Sequence, residues 1–166
     1  VSIAGGGQSF IGDFCSYAGA SKSIVGALVP YNRTIFDNFI GGKVASYASP
    51  EAARKLAVAS YLECLKAVVA QEFAIGIGAS SSIATNNERV GKQHKFNVAA
   101  HTHKATYSIE AVVNQGQPRD EEEDIIKGMI YEMLLVISTK DSNFEEIRKD
   151  MNEFKHEEGE SSLFRE

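Results

Sequence analysis

The run Ala4-Gly5-Gly6-Gly7 lies between a short apolar stretch, residues 1–4, and a helical pattern over residues 8–16. A strand, a glycine turn and a helix in that order place helix-terminal N–H groups beside the turn, and glycines leave those groups uncovered. Two further segments of small or turn-forming residues follow, Tyr31-Asn32-Arg33 and Gly76-Ile77-Gly78-Ala79-Ser80-Ser81-Ser82. Backbone presented in this way can wrap a phosphate or a polarised carbonyl. The pattern points to a small-ligand site on a layered domain.

The rest of the chain supplies the layers. Residues 23–29, Ser-Ile-Val-Gly-Ala-Leu-Val, show no polar alternation and read as a strand buried on both faces, stopped by Pro30. Ser49-Pro50-Glu51 combines an N-cap oxygen, a proline at the first helical position and an early acid, which predicts a helix to about Ala70. Its stripe Ala53, Ala57, Ser60, Cys64 and Ala67 is small enough for close packing on a sheet. Residues 73–77 read as the next buried strand, ending in a loop at Gly78, and residues 85–95 as a long polar excursion. Residues 96–102 and 105–113 read as a hairpin turning near His103-Lys104. Pro118 and the acids 120–124 introduce a helix whose apolar positions Ile126, Met129, Ile130, Met133 and Ile137 keep helical spacing. Strands alternating with helices predict an α/β fold, a mostly parallel mixed sheet with one antiparallel strand.

Composition narrows the function. With 166 residues and 43% hydrophobic content, one sizeable core is the simplest organisation. Residues 1–140 carry 13 acidic and 13 basic side chains, and residues 141–166 carry nine acidic and four basic, so the net charge of -5 sits in the tail. A neutral body has no basic stripe for phosphodiesters, which argues against nucleic acid as partner. No apolar run approaches the roughly 18 residues of a membrane span, and the chain reads as soluble and cytoplasmic, without a membrane partner. Cys15 and Cys64 form no C-x-x-C pattern and read as reduced, buried thiols. The tail positions Phe144, Ile147, Met151 and Phe154 recur at helical spacing, which predicts an amphipathic helix over residues 141–166 that docks on the domain, on a homodimer partner or on a fused neighbouring domain.

The ordered segments A-G-G-G, A-G-A-S-K-S-I-V-G-A-L-V-P-Y-N, S-P-E-A-A-R-K-L-A and A-I-G-I-G-A-S-S-S-I-A-T resemble the C-terminal domain family of the competence/damage-inducible protein CinA, over about residues 1–137. The family's own elements read E-S-C-T-G-G, P-G-S-S with a strand and A-Y-S-N-E-A-K, S-E-E-V-A-R, and T-G-I-A-G-P. The chain is closer to a divergent branch with T-G-G-G, P-G-A-S, V-P-Y and S-L-A-T signatures, whose domains can occur beside a nucleotidyltransferase-like domain. The resemblance implies a three-layer α/β/α sandwich and, in active members, hydrolysis of the carboxamide of nicotinamide mononucleotide to nicotinic acid mononucleotide and ammonia. No cofactor or metal is expected.

Carried over by position, the resemblance gives Ser2 the place of the family's serine, Ala4 that of its threonine, and Gly5 and Gly6 that of its glycine pair. Tyr31 matches the tyrosine, Phe36 falls where the family has its lysine, and Gly78-Ala79 stand where it has Thr-Gly. The Gly-Asp-Arg segment is represented by Gly116-Gln117-Pro118-Arg119. Amide hydrolysis needs a nucleophile, proton transfer to departing ammonia and oxyanion donors. Ser2 and Tyr31 are the catalytic candidates, and no base stands in the lysine's place. Gly5, Gly6, Gly7, Arg33, Gly78, Ser80, Ser82 and Thr85 are the substrate-binding candidates for a mononucleotide, with Ser81 beside them.

Other polar groups have plainer readings. Arg89, Lys92, His94 and Lys95 read as a solvated loop, and the acids 120–124 as complements to a helix dipole. His101 and His103 have no third metal ligand beside them and read as hairpin-end histidines. Three functional readings stay open: an amidase relative, a nucleotide-sensing or regulatory domain on the same scaffold, and an interaction module.

Overall fold

The computed structural model describes residues 1–85, 91, 93–114 and 116–140. Within them the order is β1 (Ser2–Ala4), α1 (Ser9–Ser16), α2 (Arg33–Ile40), α3 (Pro50–Cys64), β2 (Gly76–Ser82), β3 (His94–His101), β4 (Thr106–Val113) and α4 (Arg119–Lys140). The tail positions Phe144, Ile147, Met151 and Phe154, with Arg89 and Lys92, lie outside the described residues.

The strands form one sheet in the order β1-β2-β3-β4. Only β1 and β2 are parallel; β2 with β3 and β3 with β4 are antiparallel. The class is α/β as expected, but the sheet is not mostly parallel. The physical reason lies in the connections: the turn after His101 is too short to cross the sheet, while β1 reaches β2 through three helices. Residues 23–29 add little pairing. They touch β1 at a single bridge, Ser2 with Leu28, where Ile3 N donates to Leu28 O at 3.0 Å and Leu28 N to Val1 O at 2.9 Å. This run is not buried on both faces, since Val25 is 52% and Val29 42% exposed. Apolar composition alone did not distinguish an edge segment from a central strand.

Alternate residues of the sheet face different helices. Gly76, Gly78 and Ser80 of β2 pair with His101, Ala99 and Asn97 of β3, and this face lies under α3. It is close-packed: a Cβ at Gly78 would lie 2.3 Å from the Ala53 carbonyl oxygen and 2.4 Å from the Ala57 nitrogen. The strand therefore runs on through Gly78 to Ser82, where a loop was expected, because glycine there is required by a helix backbone lying on the sheet. The opposite face, with Ile3, Ile77, Ala79, Phe96, Val98 and Ala100, meets Ile126, Met129, Ile130, Met133 and Ile137 of α4 in one apolar cluster. Helices thus cover both faces of the sheet.

The start of α3 follows the predicted chemistry. Ser49 Oγ accepts from Ala52 N at 3.2 Å, with Pro50 opening the helix. Ser49→Ala is expected to lower stability by about 1 kcal/mol, read from the shift in a urea unfolding midpoint. The helix stops at Cys64, short of Ala70, because Tyr61 already packs over Gly76 at the first residue of β2 and no sheet lies beneath the next turn. Cys64 is partly buried, and burial pushes its thiol pKa up. Cys15 is exposed, contrary to expectation, because α1 buries only Phe10.

Candidate functional site

The glycine run turns sharply at the carboxyl end of β1. Gly5 and Gly7 adopt φ of 96° and 92°, a region that side chains disfavour, and a Cβ on Gly5 would fall 1.8 Å from the Ser81 carbonyl oxygen. The turn does hold an oxyanion, and the oxyanion is the chain's own. Gly7 N donates to Glu123 Oε2 at 2.7 Å and Ser9 N to Glu123 Oε1 at 3.1 Å. The carboxylate thus serves the first N–H of α1, at Ser9, and the Gly7 N–H of the turn before it, satisfying donors that have no partner within the helix.

The first turn of α4 also reaches the loop that follows β2. Glu122 is fully buried and its Oε2 accepts from Ala84 N at 2.7 Å, while Oε1 lies 2.5 Å from His94 Nδ1. Arg119 Nη1 donates to Ala84 O at 2.7 Å and Nη2 to the Tyr31 hydroxyl at 3.3 Å. Tyr31 is 64% exposed, and Thr85 is exposed beside Ala84. Arg119, Tyr31 and the backbone at residues 84–85 thus form one rim at the carboxyl ends of the two parallel strands, the location where open α/β sheets bind ligands.

Arg33 and Ser80 form a second group beside β2. The Arg33 guanidinium stands 5.2 Å from the centre of the Tyr47 ring, and Tyr47 donates its hydroxyl to Asp37 at 2.8 Å. That hydrogen bond, followed by desolvation, holds the Tyr47 phenol above its usual range. Ser80 Oγ donates to Tyr47 O, and Asn97 Nδ2 donates to Ser80 O at 2.8 Å. Ser82 Oγ accepts from Lys95 N at 3.0 Å. A polar cleft of about 740 Å³, lined by Ser46, Ser82, Gln93, Lys95 and Asn114 among others, opens there. Gly78 lies inside β2 with α3 backbone filling the space above it, so it offers no surface to a ligand.

Ser2 is placed elsewhere. It is 1% exposed, its Oγ accepts from Ser60 Oγ at 2.7 Å, and it belongs to the wall of a separate, largely apolar cavity of about 570 Å³ with Phe10, Phe14, Phe73 and Leu134. No hydrogen bond joins Ser2 to Tyr31 among the described residues. Phe36, at the position of the family lysine, is 2% exposed and packs against Ala52, Leu56 and the edge of Tyr47. His101 stacks edge-on against Tyr61 at 4.9 Å and shares a 2.6 Å hydrogen bond with Thr106, and desolvation depresses its imidazole pKa. No cluster of three metal-ligating side chains occurs among the described residues.

A solved structure from the competence-damaged protein (CinA) superfamily of Escherichia coli superposes on the chain with a TM-score of 0.60, covering 81% of this chain and 77% of the other at 14% identity. The fold is CinA-like. No protein-family model and no curated protein sequence matches the chain. On this CinA-like scaffold, sequence reasoning left Glu122 and Glu123 as dipole complements and His94 as a loop residue. The signal for Glu122 was present: it stands four residues before Ile126, on the same inward stripe. The long reach of Glu123 to Gly7 and Ser9 left no mark in spacing. No helix among the described residues is long and apolar enough to cross a membrane.

Proposed function

We propose that the chain is a small-ligand domain that binds a mononucleotide at the Tyr31–Arg119 rim and does not hydrolyse its carboxamide. The observation that carries this reading is the separation of the two expected catalytic residues: Tyr31 is on the exposed rim, while Ser2 is buried against Ser60. The rim supplies the chemistry for binding. Arg119 presents a planar, permanently charged guanidinium whose donors suit ribose or carboxamide oxygens, and the Tyr31 ring offers an exposed aromatic face for a base. Thr85, next to Ala84, is a further candidate for ribose contact, and Arg33, against Tyr47 in the second group, is one for a more distant part of the ligand. Hydrolysis lacks its parts: the family lysine's position holds a core phenylalanine, and the serine hydroxyl faces the underside of α3.

Titration calorimetry with nicotinamide mononucleotide, run beside an ammonia-release assay, tests the proposal. Binding without ammonia is expected, and Arg119→Ala is expected to weaken it about tenfold or more, as loss of a charge-assisted hydrogen bond does. Ammonia release abolished by Ser2→Ala would overturn the proposal in favour of an amidase. Absence of any binding heat from the folded chain would remove the mononucleotide as ligand.

A further inference from the structure

The cap on α1 comes from an unusual place. Gln8, at the N-cap position, makes no side-chain cap bond, and the N–H groups on either side of it, of Gly7 and Ser9, are held by Glu123 of α4. Around the same turn three buried polar atoms have no partner among the described residues, Gln8 Nε2, Ser9 Oγ and Ser81 Oγ. Ser81 is 8% exposed and its backbone lies against Gly5. A carboxylate has two oxygens, and both are used on Gly7 and Ser9. A phosphate group has further oxygens that could accept from the Gln8 amide and the serine hydroxyls, which the carboxylate leaves unserved.

We propose that Glu123 is a displaceable internal ligand: its carboxylate keeps the Gly5–Ser9 turn occupied, and an incoming phosphate takes its place and frees the first turn of α4. This rests on the reading of the site as one for a phosphorylated molecule. The two ends of the device are mechanically joined, since Arg119 and Glu122 on the same helical turn hold Tyr31, Ala84 and His94. Displacement of Glu123 therefore reaches the rim, and the rim is where the remainder of the ligand would lie.

Inorganic phosphate is the probe, followed by the ¹H–¹⁵N resonances of Gly7 and Ser9 in the wild-type chain and in Glu123→Gln. The variant is expected to show phosphate-dependent shifts of both amides at about one tenth of the concentration that the wild type needs, because the competing charge is gone. Equal phosphate dependence in the two chains, or a folded variant whose Gly7 and Ser9 amides do not move, would overturn it. Should Glu123→Gln fail to fold, the wild type decides. Phosphate must then shift the Gly7 and Ser9 amides together with the Glu123 carboxyl carbon, and silence of that carbon would overturn the proposal. Mononucleotide heat with unmoved Gly7 and Ser9 amides removes the displaceable ligand and keeps the mononucleotide reading. Phosphate shifts without mononucleotide heat do the reverse.

Discussion

Gly78→Ala lowers the unfolding free energy by about 3 kcal/mol or more, at the upper end of the range for overpacked cores. The added methyl would meet backbone, the Ala53 carbonyl oxygen at 2.3 Å and the Ala57 nitrogen at 2.4 Å, and neither can rotate out of its path. Relief requires lifting α3 off β2. That movement loosens Leu56 against Phe36 and Ala57 against Ala99, so the strain spreads into two core clusters. A urea unfolding curve measures the loss, and Gly12→Ala is the control. Gly12 sits in α1 with open space around its Cα, so alanine there is neutral or stabilising by up to about 1 kcal/mol through helix propensity. Equal midpoints for the two variants would show that α3 does not lie on the strand as described.

Glu122→Ala has an effect of similar size for a different reason. Its carboxylate has no exposed surface, and it serves Ala84 N–H and the His94 ring at once. Truncation removes the acceptor of a buried N–H and a hydrogen-bond partner of a buried imidazole, at about 1–3 kcal/mol for each buried group that loses its bond. Out of a total of about 5–15 kcal/mol for a domain, that is a large share. Glu122→Gln keeps the shape, an oxygen for Ala84 N and a polar amide beside the His94 ring. It is expected to lose only about 1–2 kcal/mol. Chemical denaturation of both variants checks the ordering. If glutamine proves as damaging as alanine, the ionic character of the pair, and not its hydrogen bonds, holds the loop after β2.

These two positions also mark where sequence patterns sufficed and where they did not. The Ser49-Pro50-Glu51 start, the hairpin near His103 and the stripe from Ile126 to Ile137 were legible because each depends on neighbours in sequence. Gly78 was read as a loop residue because glycine and serine have low strand propensity; close packing under α3 overrides that preference. Helix α2 went unread although Asn32 caps it, its side chain accepting from Thr34 N at 2.8 Å, and Phe36, Phe39 and Ile40 follow on one face. The same Tyr31-Asn32-Arg33 segment is thus also a helix start, with Asn32 at the N-cap and Arg33 as the first helical residue. At the candidate site, the sharp glycine turn was anticipated; the part played by Glu122, Glu123 and His94 was not, since their partners are distant in sequence.

That distance has a consequence for how the molecule comes into being. Glu123 joins residues 114 and 116 positions earlier, and Arg119 joins Tyr31 across 88. Contacts of such sequence separation form late, because the intervening chain must first be gathered. During synthesis every strand of the sheet leaves the ribosome before the first turn of α4 does. The sheet can therefore pair while the Gly5–Ser9 turn and Tyr31 still lack their partners on α4, and the contacts that fix that end of the sheet come after the sheet itself.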